Sequence, residues 1–199
     1  MEEKQFRFRW WHGLAFFAGV QVAQLGARIA VRRLTQSRND ATGEQDQEIY
    51  REMRLPVFAP PGWAFPVAWS INSFCLVAGG LHVLNLPGET PGRAKFLRCQ
   101  AAAWGVFSLF DTAYFGLRSP INAAALTLVY SGLTVASMAI SLRKLQDRAA
   151  MFSLATTLAW LALANPVAVA QATWNRDPFW KVGPFLEPPK GWEKKQRQS

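Results

Sequence analysis

The stretch that decides the fold runs from Glu48 to Phe74 and reads EIYREMRLPVFAPPGWAFPVAWSINSF. A polar loop leads into Pro60-Pro61-Gly62-Trp63, and an apolar segment follows at once. Because proline is tolerated in the first turn of a helix, the paired prolines predict a helix start, here one that enters a bilayer. Trp63 stands where an interfacial aromatic anchor belongs, and Trp69 lies nearly two turns deeper.

Further apolar segments surround this one in a chain of 199 residues, a length that suits a single domain. Half of the residues are hydrophobic, and a mean hydropathy of +0.02 hides strong segregation into apolar spans and short charged stretches. A bilayer span needs about 20 predominantly apolar residues. The sequence therefore predicts an all-α membrane protein, a bundle of five transmembrane helices at about 12–33, 62–86, 97–117, 119–141 and 149–174.

The net charge of +9 would suit a nucleic-acid-binding protein, but the basic residues cluster at the ends of the apolar spans. Arg32-Arg33 and Lys194-Lys195 are such clusters, and this placement lets a membrane protein meet phospholipid headgroups. We therefore expect the lipid bilayer, and no nucleic acid, as a partner. The expected location is multi-pass, in a bacterial cell membrane or an organelle membrane.

The membrane domain is predicted at 12–174, after an interfacial N-terminal segment at 1–11. Within this domain, the loop 35–59 is too polar to enter lipid, although its last residues carry an apolar edge. We expect that end of the loop to fold over the bundle mouth as a lid, with residues 36–46 mobile. The basic, Pro-rich tail at 175–199 is interpreted as an addition to the domain.

Two ionisable side chains, Arg28 and Asp111, fall inside apolar spans, where a charge is expensive and usually faces a partner or a wet cavity. Counting the spans places both near the same membrane face, so they could meet at similar depth as an ion pair. In the alternative, Arg28 snorkels to the headgroups and Asp111 bonds a neighbouring hydroxyl such as that of Thr112 or Ser108.

The sequence contains no catalytic or metal-binding motif that would support conventional enzyme chemistry. No hydrolase, P-loop or paired-carboxylate pattern occurs, so an enzyme is less expected than a binding protein, and no bound cofactor or metal is expected. His82 has no visible second ligand and is better interpreted as a helix-end residue than as a haem ligand. Cys75 and Cys99 support neither a disulfide framework nor a metal site.

Small residues recur every four positions, for example at Ala101-Gly105 and Gly132-Ala136. This spacing permits close contact between helices in lipid. It predicts a tight bundle and allows a homodimer, without indicating which helix faces are used.

The Glu48–Phe74 stretch resembles the TspO/MBR family, also called the translocator protein or tryptophan-rich sensory protein family. Its members carry a similar W-Y…P-x-x-x-P-P-x-W-x-F-P-x-x-W run ahead of their second membrane helix. The residues here that fall in register with that run are Tyr50, Pro56, Pro60, Pro61, Trp63, Phe65, Pro66 and Trp69.

The resemblance continues in the fifth span and weakens in the third. Trp160 and Asn175 keep the family's fifteen-residue spacing between a tryptophan and an asparagine. In the third span, the usual N-x-x-W-x-P is replaced by Phe107-Ser108-Leu109-Phe110-Asp111-Thr112, so the family's ligand-facing Asn and Trp are both absent.

The resemblance implies a five-helix bundle whose pocket, under the long first loop, binds porphyrins and in some members sterols or synthetic aromatic ligands. It implies a receptor or carrier for tetrapyrrole-like hydrophobic molecules, and some bacterial members are reported to degrade protoporphyrin in light. Trp69 and Trp160 match pocket tryptophans of the family. An indole offers a large flat face for stacking on a macrocycle. The candidate ligand-binding residues are Trp69, Trp160, Trp63, Phe107, Phe110, Asp111, Arg28, Tyr50 and Asn165.

Competing interpretations remain open for the tryptophans and for the whole chain. Trp69 and Trp160 could face lipid or fill the bundle core. The chain itself could be a ligand-free structural or assembly subunit that retains the TspO-like fold. The lost Asn and Trp of the third span and the basic tail favour that alternative.

Overall fold

The computed structural model describes residues 7–35 and 49–194, and these residues form five long helices. The prediction of an all-α bundle is confirmed. Two π-helical turns, Thr112–Gly116 and Ser141–Leu145, extend the third and fourth helices. The helices are α1 (Trp10–Thr35), α2 (Ala64–Leu84), α3 (Arg93–Asp111), α4 (Pro120–Ile140) and α5 (Arg148–Trp174).

By length and composition, four helical stretches in the described part of the chain can cross a membrane: Trp10–Val31, Ala64–Leu84, Pro120–Leu145 and Arg148–Trp174. The helix α3 is not among them, because it carries Arg93, Lys95 and Arg98 at its start and ends at Asp111. It still packs along α4 and against α1. The multi-pass membrane architecture is therefore confirmed, and the predicted span at 97–117 is a shorter, less apolar helix of the same bundle.

Side-chain caps set the starts of α4 and α5. Ser119 accepts a hydrogen bond from the backbone N–H of Asn122 at 3.1 Å, and Pro120 occupies the first helical position, where its missing N–H costs nothing. Asp147 accepts from the backbone N–H of Ala150 at 2.8 Å. Both caps satisfy backbone donors that a helix leaves without an internal partner.

The paired prolines before α2 lie in a turn rather than in the helix. The backbone N–H of Ala64 donates to the carbonyl of Pro61 at 2.9 Å, and the helix begins at Ala64. The helix start predicted at residue 62 is therefore two residues early. Pro66 lies in the first turn of the helix, where the backbone nitrogen has no intrahelical hydrogen bond to donate.

A buried core at the end of the bundle away from the 49–63 segment holds α2, α3 and α5 together. Val83, Phe96 and Leu154 expose at most 1% of their surface there. In lipid, such close packing between side chains is a principal source of helix association. This core fixes the positions of the helices whose other ends carry the aromatic residues.

A glycine allows α2 and α5 to approach each other closely. A β-carbon at Gly79 would overlap the side chain of Ser153. At Gly105 and Gly132, by contrast, the described residues leave the space around a β-carbon open to 4 Å. The described residues therefore do not use these two glycines for close helix contact, and the homodimer stays a prediction.

At the core end of the bundle, α2 and α5 are also joined by His82 and Asp147, whose Nε2 and Oδ2 atoms are 2.8 Å apart. Burial by itself would raise the pKa of Asp147. Hydrogen bonds from His82 and from the backbone N–H of Ala150 outweigh this, so the pKa lies below its ordinary value.

We expect Asp147 to make the bundle less stable in acid. Because its folded pKa is lowered, the stabilisation is complete above the unfolded pKa of about 4 and is lost as the pH falls through the lower folded pKa. Asp147→Asn should flatten the decline of the thermal unfolding temperature between about pH 5 and pH 3, measured in detergent. Glu89→Gln, at an exposed position, is the control, and an equal decline in both variants would contradict the assignment.

Candidate ligand-binding site

A small, partly open apolar cavity lies between α2, α3, α4 and α5 and has a volume of about 40 Å³. Since a buried water needs roughly 10–15 Å³, this cavity has room for only a few waters. Thr127 and aliphatic side chains complete a lining that is mostly aromatic. The aromatic lining residues are Phe65, Trp69, Phe107, Phe110, Tyr130 and Trp160.

The aromatic rings hold one another in place around the cavity. The ring centroid of Trp69 lies 5.0 Å from that of Phe107 and 5.6 Å from that of Tyr130. Phe65 meets Trp160 edge to face, with centroids 5.3 Å apart and an angle of 89° between the ring planes. Such pairs contribute about 0.5–1.5 kcal/mol each beyond the area they bury, so both indoles are fixed by packing.

The cavity brings together four of the nine predicted ligand-binding residues: Trp69, Trp160, Phe107 and Phe110. Two of them replace the expected Asn and Trp of the third helix, and they still face the same interior. The site is thus more apolar than the resemblance implies.

Tyr50, Trp63 and Asn165 lie outside the cavity lining. The hydroxyl of Tyr50 donates to the carbonyl of Pro60 at 2.9 Å, and burial raises the pKa of this phenol, which therefore stays neutral. Its ring meets that of Phe65 at 5.1 Å, so Tyr50 touches the cavity from behind a lining residue. Trp63 is 65% exposed, as suits an interfacial anchor, and Asn165 accepts from the hydroxyl of Ser131.

Arg28 and Asp111 also lie outside the lining, at similar depth in neighbouring helices. One turn before Arg28, the side-chain amide of Gln24 donates to the carbonyl of Phe107 at 3.0 Å. One turn after it, α1 runs beside Gly116. Arg28 is therefore level with residues near Asp111, and its guanidinium lies 5.8 Å from the ring centroid of Phe115. The ion pair itself stays a prediction.

Residues 50–59, called here the lid segment, lie over the ends of the helices. Tyr50 and Leu55 are buried and pack in one cluster with Tyr114 of the π-helical turn after α3. The segment predicted to be mobile, 36–46, lies outside the described residues. The lid segment is thus a packed structure beside the cavity.

The chain after α5 fastens the lid segment through backbone hydrogen bonds. Residues 175–194, called here the tail, lie on the same side of the bundle as the lid segment, because four helices, an even number, separate the two. The N–H of Lys194 donates to the carbonyl of Leu55 at 2.7 Å, and the N–H of Val57 donates to the carbonyl of Trp192 at 2.8 Å. This part therefore packs against the mouth of the bundle, and its interpretation as an addition to the domain stays a prediction.

Asn175 joins the lid segment at the other end of the tail. Its Oδ1 accepts from the backbone N–H of Arg54 at 2.8 Å, and its Nδ2 donates to the Arg54 carbonyl at 3.1 Å. The guanidinium of Arg54 meets Glu193 at 3.0 Å and Glu187 at 2.8 Å, and these hydrogen bonds raise its pKa. Because partly exposed ion pairs contribute little, the bonds of Asn175 to the backbone matter more.

Asp177 anchors the tail to the start of α4. Its side chain has 0% exposure and accepts hydrogen bonds from the hydroxyl of Ser119 at 2.6 Å and from the N–H of Ile121 at 3.0 Å. The N–H of Trp180 donates to its other oxygen at 2.9 Å. Sequence reasoning missed this residue, because its partners at the start of α4, Ser119 and Ile121, lie more than fifty positions away.

The chemistry that the cavity offers is stacking and dispersion. Within the described residues, no Arg, Lys, His, Asp or Glu side chain lines it, and no three His, Cys, Asp or Glu side chains gather as a metal site. The arrangement can therefore hold an apolar aromatic molecule.

The sequence model of the TspO/MBR family matches residues 20–173, a range that contains every helix around the cavity. The chain belongs to the TspO/MBR family. A tryptophan-rich sensory protein of Cereibacter sphaeroides is similar, with 28% identity over 91 residues, which cover 46% of this chain and 55% of that relative. The aligned part thus spans little more than half the length of the relative. The TspO/MBR match ends two residues before Asn175, so the tail lies beyond it.

Proposed function

We propose that this TspO/MBR protein is a membrane receptor or carrier for flat hydrophobic ligands of the tetrapyrrole type. The observation that carries the proposal is that Trp69 and Trp160 face one apolar cavity from α2 and α5. An indole presents a flat face on which a conjugated macrocycle can stack. Two indoles on neighbouring helices would both contact such a ligand.

A tetrapyrrole can bind only if the cavity widens. Small-molecule pockets usually measure about 300–1,000 Å³, whereas this cavity has a volume of about 40 Å³. Phe65 lines the cavity and packs against Tyr50 of the lid segment. Displacing Phe65 therefore disturbs the lid segment, so we propose that ligand entry and lid displacement are coupled.

The small volume also favours a second candidate function. A structural or assembly subunit of the membrane would keep the TspO/MBR bundle and fill its pocket with side chains. The replacement of the N-x-x-W-x-P pattern by aromatic residues, of which Phe107 packs against Trp69, agrees with this candidate.

Quenching of tryptophan fluorescence by protoporphyrin in detergent separates the two candidates. A receptor should show saturable quenching at micromolar porphyrin. A structural subunit should show a linear response equal to that of an unrelated membrane protein with a similar tryptophan content.

Removing either cavity indole should weaken porphyrin binding. Trp69→Ala and Trp160→Ala each lose stacking and dispersion contacts, and we expect the Kd to rise by roughly ten-fold or more. Trp63→Ala is the matched control, because Trp63 stands at the start of the same helix as Trp69 but is exposed. Equal increases in Kd for all three variants would contradict the assignment of the site.

Arg28 is proposed to hold a carboxylate of the ligand, with Asp111 orienting the guanidinium. A guanidinium matches a carboxylate in geometry and charge. We therefore expect Arg28→Gln to weaken binding of protoporphyrin but to spare its dimethyl ester, measured by the same quenching titration. Equal weakening for the acid and the ester would assign Arg28 a structural role only.

A further inference from the structure

The face of α2 that lines the cavity continues deeper into the bundle with a polar side chain. Phe65 and Trp69 line the cavity, and Asn72 follows three residues after Trp69. Residues spaced by four and then three positions share one face of a helix. Asn72 therefore lies one turn below the cavity, on the side away from the lid segment.

The cavity-lining face of α5 continues in the same way. Leu161 and Ala164 line the cavity, and Thr157 precedes Leu161 by four residues on the same face. The end of α2 contacts the start of α5 through His82 and Asp147, so the two helices are antiparallel. Thr157 is therefore also below the cavity, so that each of the two neighbouring helices carries a polar side chain at this depth.

Both side chains are buried without a hydrogen bond for one of their polar atoms. Asn72 is 2% exposed and Thr157 0% exposed. The Asn72 Nδ2 and the Thr157 Oγ1 have no partner among the described residues. Buried polar groups are almost always paired, because leaving one unpaired in a low-dielectric interior costs free energy.

Other buried threonines of the bundle donate a hydrogen bond to the preceding helical turn, whereas Thr157 does not. The hydroxyl of Thr127 donates to the carbonyl of Ala123 at 2.7 Å, and that of Thr134 donates to the carbonyl of Tyr130 at 2.8 Å. This bond to the preceding turn is the usual way for a helical threonine to satisfy itself. Thr157 makes no such bond, so its hydroxyl stays available.

We propose that Asn72 and Thr157 form a polar floor that binds a neutral carbonyl at the leading edge of an aromatic ligand. This inference rests on the proposed ligand-binding function of the cavity. The Asn72 amide donates, and the Thr157 hydroxyl donates or accepts, so a ketone, amide or lactam oxygen finds donors on both helices.

The group that reaches the floor is neutral. No Arg, Lys or His side chain of the described chain lines the cavity, and a carboxylate buried there would lack a cation. The carboxylates of a ligand therefore stay nearer the mouth, and the carbonyl points to the floor. The site selects flat aromatic molecules that carry a carbonyl on one edge.

The test uses 9-fluorenone and fluorene, two tricyclic aromatic probes that differ by one carbonyl. Equilibrium dialysis against the protein in detergent measures the binding of each probe, corrected by the uptake of an unrelated membrane protein. We expect the wild type to bind fluorenone roughly five- to ten-fold more tightly than fluorene. The double variant Asn72→Leu with Thr157→Val should lose this preference and keep its affinity for fluorene.

Two further variants test whether a lost preference comes from misfolding or from the removal of any buried hydroxyl. Thr157→Val alone changes shape least and should lose part of the preference even if the double variant does not fold. Thr134→Val is the control, because that hydroxyl is already bonded within α4, and it should keep the full preference.

Unfolding temperature gives a second readout that needs no ligand. Because Thr157→Val removes an unpaired buried hydroxyl, the protein without ligand should melt at the same temperature or higher. A lower melting temperature would show that the hydroxyl is paired and would overturn the polar floor. Equal affinity for both probes in the wild type, or an unchanged preference in the variants, would overturn it too. Non-saturable uptake of both probes, together with linear quenching by protoporphyrin, would overturn the proposed function as well.

Discussion

Gly79→Ala is expected to destabilise the bundle by about 1–3 kcal/mol, the usual cost of adding a methyl group to a fully packed site. The new β-carbon would overlap both the hydroxyl and the β-carbon of Ser153. A hydroxyl can rotate away, but a β-carbon moves only with its backbone, so α2 and α5 must separate. Thermal unfolding in detergent, followed by circular dichroism, measures the loss.

The next residue provides the control. Gly80 lies in the same helix, and the described residues leave its β-carbon position open to 4 Å. Gly80→Ala should therefore gain helix propensity and stabilise the protein by about 0.5–1 kcal/mol. Changes of the same sign and size at both positions would show that α2 and α5 do not meet at Gly79.

Asp177→Ala is expected to cost roughly 3 kcal/mol, because it leaves buried donors at the start of α4 and in the tail without acceptors. The hydroxyl of Ser119 and the N–H groups of Ile121 and Trp180 all donate to this side chain. Asp177→Asn should cost less, since one amide oxygen can still accept. The same unfolding measurement ranks the two variants.

Trypsin digestion reports the release of the tail in these variants. Lys181 and Lys190 are exposed tail residues, and Arg54 lies in the lid segment that the tail fastens. We expect faster cleavage at all three sites in Asp177→Ala. Glu187→Gln, which removes an exposed ion-pair charge, should digest like the wild type. Unchanged cleavage in Asp177→Ala would mean that the tail is held without its buried anchor.

The membrane bundle and the aromatic half of the site could be predicted from the sequence. The length and composition of an apolar span are enough to predict a membrane helix. Trp69 and Trp160 lie in such spans, at positions that match tryptophans of the family. The signal was weakest in α3, where Arg93 and Asp111 lower the hydropathy of a helix that nevertheless packs in the bundle. Helix ends were less certain, as the two-residue error at the start of α2 shows.

Neither the hydrogen bonds between the tail and the lid segment nor the proposed polar floor could be predicted from the sequence. Lys194 bonds to Leu55 through backbone atoms, and a backbone bond between distant residues places no requirement on side-chain type. Asn72 and Thr157 are single polar residues in apolar spans. Whether such a residue is buried without a hydrogen bond depends on how the helices pack, and the sequence does not specify this. Their position relative to the cavity can be inferred only from the order and direction of the assembled helices.

The connection between the tail and the lid segment also sets an order of events during synthesis. The lid segment leaves the ribosome before α2, whereas its partners Asn175, Trp192 and Lys194 leave only after α5. All five helices are therefore translated while the mouth of the bundle is still unfastened. The mouth therefore stays unfastened until the tail is translated, and only then can its backbone hydrogen bonds to the lid segment form.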